Sequence, residues 1–99
     1  MQQASPMTSI SHAMADLHML SRKDLKTDRF RLWHQFTVQA LIEVVGVDSP
    51  VLDEFEAICF QSLTKATPEE AESVWRSGKT CALALLTTVR FQSYLDEGR

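Results

Sequence analysis

Ninety-nine residues, 44% of them apolar, suffice for one domain with a genuine core but leave little room for an elaborate catalytic pocket. Ten basic and thirteen acidic residues give a net charge of −3, without the overall basic excess by which nucleic-acid binders neutralise phosphate. No run of ~18 apolar residues is present to cross a membrane, and the opening MQQASPMTSISHAM has neither the charged leader nor the apolar run of a signal peptide. The expected setting is cytoplasmic, in a bacterium, a plasmid or a phage.

Residues 1–8 read as a flexible tail, and 9–99 as a single helical bundle domain. A first helix is expected over Ser9–Ser21, where Ile10, Met14, Leu17 and Leu20 recur at helical spacing. The second is expected over Asp28–Val45, capped by Thr27 or Asp28 and closed by Gly46 in a left-handed conformation. Its apolar face comprises Phe30, Trp33, Phe36, Thr37, Ala40, Leu41 and Val44. Ser49 and Pro50 then supply an N-cap and a first-turn proline for a third helix carrying Leu52, Phe55, Ile58 and Cys59 and ending near Leu63. Thr67-Pro68-Glu69-Glu70 combines a cap, a proline and a capping box, and opens a last helix that reaches Asp96 unless Gly78 breaks it. The fold class is therefore all-α: a small bundle of four helices, or five with a break at Gly78.

Two helices carry more apolar surface than one stripe. On the second, Val38, Ile42 and Val45 lie well around the circumference from Trp33 and Ala40. On the last, Ala82, Leu85, Leu86 and Val89 make one face, and Leu83, Phe91, Tyr94 and Leu95 make another. A helix apolar all round is either central to a core or docked on another chain. A continuous last helix would be ~43 Å long and would overhang a domain with a radius of gyration of ~13 Å. That favours a partner, most simply a second copy in a homodimer.

Chemical motifs are missing. No C-x-x-C, H-x-x-x-H or H-E-x-x-H spacing offers a metal site, and no Gly-rich loop offers a phosphate site. Cys59 and Cys81 stand in apolar stretches, where they are expected to be buried, protonated and inert rather than joined in a disulfide. Adjacent carboxylates such as Asp53 and Glu54 diverge by about 100° on a helix and cannot flank one atom. No enzyme, metal or cofactor is expected.

Charge is unevenly placed. Arg22, Lys23, Lys26, Arg29 and Arg31 form a basic cluster, whereas Glu43–Glu56 holds five acidic residues and no basic ones. The cluster suits an electrostatic contact with an acidic partner, such as the Glu43–Glu56 region of another subunit. A DNA-reading helix beginning Pro50-Val51-Leu52-Asp53-Glu54 would turn carboxylates toward phosphates. Residues 30–58 resemble helical modules attached to effector domains in bacterial defence proteins, a likeness without a chemical motif, from which no activity follows.

The leading expectation is a non-catalytic protein-interaction module, acting as a regulator, adaptor or inhibitor by covering a partner's surface. The alternatives are a small DNA-binding regulator using Arg22–Arg31, and a helical pocket for a small apolar ligand lined by Trp33, Phe36, Trp75 and methionines.

Overall fold

Short polar signals start and stop most of the helices. In the computed structural model, which describes residues 6–61 and 65–97 (side chains for 8–61 and 65–92), the elements are α1 (Pro6–Met19), a 3₁₀ helix (Arg22–Lys26), α2 (Asp28–Val45), α3 (Pro50–Glu56) and α4 (Pro68–Glu97). The all-α class holds, with no strand among the described residues.

Helix α1 begins inside the expected tail, with Pro6 at a position that needs no N–H partner. The 3₁₀ turn was not expected. Asp24 organises it by accepting the Ser21 N–H at 2.8 Å, and its carbonyl accepts both the Thr27 N–H at 2.9 Å and the Thr27 hydroxyl at 2.7 Å. Thr27 therefore stands before α2 without capping it through its side chain. At the other end Gly46 adopts φ 91° and donates its N–H to Ile42 O at 2.9 Å. That left-handed φ is the one glycine tolerates best. Ser49 Oγ accepts from Val51 N at 3.2 Å to cap α3, and Thr67 Oγ1 accepts from Glu70 N at 3.1 Å to cap α4.

Two expectations about helix ends need correction. Helix α3 stops at Glu56 rather than near Leu63, which itself lies outside the described residues. Phe60 leaves the helical path and buries its ring against Phe30 at 5.2 Å and against Trp33 and Trp75 at 5.9 Å. Helix α4 runs unbroken through Gly78. A Cβ at Gly78 would lie 2.5 Å from Cys59 O and 2.9 Å from Phe60 Cδ1. The glycine is therefore a point of close approach, where the chain leaving α3 crosses α4, and not a helix break.

The four helices alternate in direction. Leu20 and Arg29 share one end of the α1–α2 groove, and Trp33 Nε1 donates to Ala13 O at 2.9 Å farther along it. Lys79 Nζ reaches Leu20 O at 3.4 Å, and Arg22 Nε meets Glu72 Oε2 at 2.9 Å, tying the α1 end and the 3₁₀ turn to the first half of α4. Val51 lies beside Val89 and Gln92, and Cys59 beside Gly78, so α3 runs antiparallel to α4. Helices α1 and α3 each touch both α2 and α4. The latter two face each other diagonally and meet through Phe30 and Trp75, 6.0 Å apart.

The core holds Ile10, Ala13, Leu17, Leu41, Phe55, Ala82 and Leu86 at its driest points. Thr37 is its one buried polar residue among those described, and its hydroxyl donates to Trp33 O at 2.8 Å. Buried groups satisfied in this way avoid the desolvation cost of an unmade bond.

Candidate functional site

Burial decides which of the expected interface residues are free. Val38, Ile42 and Val45 are half-buried and pack against the core. They do so because α2 has α1 along one flank and α3 along another, which widens its buried arc beyond a single stripe. Leu83 likewise packs against the core from the side of α4. Of the two residues of the expected second stripe of α4 whose side chains are described, Leu83 packs on the core and Phe91 does not. Leu83 and Phe91 are eight residues apart and about 80° apart around the helix. Phe91 is 62% exposed, just past Val89, the last residue of α4 that is buried among those described. Tyr94 and Leu95 fall outside the residues whose side chains are described.

Exposed apolar surface also lies on α2. Phe36, expected in the core, is 41% exposed, and Leu32, one turn before it, is 55% exposed. Together they border the α1–α2 groove with Asp16, Leu20, Arg29 and the edge of Trp33. Single exposed apolar residues are ordinary, but two adjacent ones beside a groove make a patch. The reason is rotational: the core contacts of α2 centre on Trp33, Thr37, Ala40 and Leu41, which turns residues 32 and 36 outward. Sequence periodicity alone places Phe36 on the buried face with Trp33 and Thr37.

The fold splits the basic cluster: Arg22, Lys23 and Lys26 line one pocket beside the 3₁₀ turn, and Arg29 and Arg31 lie outside it. Arg22 pairs with Glu72 and Arg31 with Asp28 at 3.2 Å, both exposed. Lys23 and Lys26 project from the 3₁₀ turn, and Arg29 faces the α1–α2 groove. Arg29 and Arg31 point to opposite sides of α2, since neighbours two apart diverge by about 160°.

The thiols also depart from expectation. Cys59 and Cys81 are both exposed. Cys59 sits on the irregular segment that crosses Gly78, not on a helix face, and Cys81 points away from the Trp75–Ala82 side of α4 that is buried. Trp33 and Trp75 belong to the central aromatic cluster with Phe30, Phe55 and Phe60, whereas Phe36 lies outside it. The three therefore do not line one cavity.

The titration of His34 is shifted by its surroundings. Its ring packs on Phe55 at 5.1 Å, and burial lowers its pKa below the usual histidine value, while the Glu56 carboxylate partly opposes the shift. Among the described residues no three His, Cys, Asp or Glu side chains gather as metal ligands, and no helix is long and apolar enough to cross a membrane. Comparisons with family models, curated proteins and solved structures each return no match.

Proposed function

We propose that this all-α bundle is a non-catalytic protein-interaction module, a regulator, adaptor or inhibitor that covers a partner's surface with the outer edge of α2. The supporting observation is the pair Leu32 and Phe36, exposed one turn apart beside the α1–α2 groove. Aromatic and aliphatic anchors of this kind gain affinity by leaving water, and a charged rim of Asp16 and Arg29 would orient the contact.

The test places a photo-crosslinking amino acid at Leu32 and, as a control, at exposed Thr80 on the outer face of α4, in cells that make the protein. Adducts to another polypeptide are expected from position 32 and not from position 80. No adduct from position 32, or equal adducts from both, overturns the reading.

A further inference from the structure

The exposed edge of α2 has a pattern that extends beyond its two apolar residues. Arg29, Leu32, Phe36, Gln39 and Glu43 are all exposed and follow one another at intervals of three, four, three and four. That spacing keeps side chains in a single seam along a helix, the seam by which two helices pack lengthwise. The seam is cationic at its start, apolar in the middle and anionic at its end. Neither Arg29 nor Glu43 joins an ion pair among the described residues, although Asp16 stands in the same groove as Arg29.

Phe36 lies midway, seven residues from Arg29 and seven from Glu43. Such a seam is complementary to itself when reversed. An antiparallel copy related by a twofold axis near Phe36 brings Arg29 of each chain toward Glu43 of the other, with Leu32 and Phe36 of both chains between. A parallel copy would set Arg29 against Arg29 and Glu43 against Glu43. The charges therefore select the antiparallel arrangement, which is closed and isologous.

We infer that the α2 seam docks a second copy of this chain, forming an antiparallel, twofold-symmetric dimer. This inference rests on the reading of α2 as an interaction surface and names its occupant. From Arg29 to Glu43 the seam is about 21 Å long at 1.5 Å per residue. One helix face of that length covers less than the ~800 Å² per partner of a standard interface, so the dimer is reversible and concentration-dependent.

Sedimentation equilibrium of the full chain, from about 10 μM to 1 mM, reads the association directly. The wild type is expected to shift from monomer to dimer across that range, less so as salt is raised, because the end contacts are exposed charges. Phe36→Asp sets two carboxylates near the axis and should abolish the shift. Arg29→Glu or Glu43→Arg should each weaken dimerisation about five- to thirtyfold, through two equivalent contacts per dimer. The double variant Arg29→Glu/Glu43→Arg restores complementarity and should recover most of the wild-type affinity. These exposed positions keep the test decisive even if Phe36→Asp fails to fold.

A monomeric wild type up to 1 mM overturns the inference, as does a double variant weaker than either single one. The broader reading fails separately, when position 32 crosslinks to nothing. Adducts to a different protein from a chain that stays monomeric would remove the dimer and leave α2 as a docking surface.

Discussion

Gly78→Ala is the most discriminating stability test, because two physical effects of opposite sign meet at that position. In an ordinary helix interior the replacement stabilises by about 0.8–1.0 kcal/mol through better helix propensity. Here the new methyl would sit 2.5 Å from Cys59 O, 2.9 Å from Phe60 Cδ1 and 3.1 Å from Phe60 Cα. The Phe60 ring is held among Phe30, Trp33 and Trp75 at 5.2–5.9 Å, so it cannot swing aside. The backbone at residues 59–60 would have to move away by more than half an ångström to reach an ordinary contact. Overpacking of this kind costs about 1–3 kcal/mol, enough to outweigh the propensity gain. Less the propensity gain, a net loss of up to about 2 kcal/mol is expected, lowering Tm by as much as roughly 8–16 °C for a domain of this size. Thermal unfolding followed by circular dichroism at 222 nm, with exposed Ser77→Ala as a control for propensity, measures it. A Tm above that of the wild type would show that the chain does not cross α4 at Gly78.

Thr67→Ala removes the acceptor of the Glu70 N–H and should lower stability by about 0.5–2 kcal/mol, read from the urea midpoint. Cys59 and Cys81 are exposed, so both should react with a thiol reagent in the native state at rates close to those of the unfolded chain; protection of either in the native state contradicts the fold around it. His34 has a lowered pKa in the folded state, so the unfolded chain binds more protons as pH falls below the ordinary histidine value. The stability it contributes is complete above that value and is lost as pH drops toward the lowered folded value. Relative to His34→Phe, the wild type should lose Tm between pH 7 and pH 5, and parallel profiles would refute the burial of the ring.

The legible part of this protein is local. Ser49-Pro50, Thr67-Pro68 and Gly46 mark their helix ends because capping is settled within about four residues of chain: a hydroxyl reaching an orphan N–H, a ring needing no donor, a φ that costs glycine little. The bounds of α2 and the start of α4 followed from such groups alone. So did the all-helical class, since every apolar run repeats near 3.6 residues.

The surface was not legible, because exposure depends on where neighbouring helices lie and not on a helix's own composition. Val38, Ile42, Val45 and Leu83 have the same apolar character as Leu32 and Phe36, yet the first four pack on the core and the last two do not. Gly78 has the sequence signature of a break, and only a crossing segment from residues 59–60 turns it into a contact. Cys59 reads as core while a helix to Leu63 is assumed, and becomes exposed once Phe60 is drawn into the aromatic cluster and α3 ends at Glu56. Sequence alone determined where α2, α3 and α4 begin, since those signals are carried by adjacent residues. Tertiary structure decided where α3 stops, which side of α2 faces water and what Gly78 is for, since each depends on a side chain arriving from elsewhere in the fold.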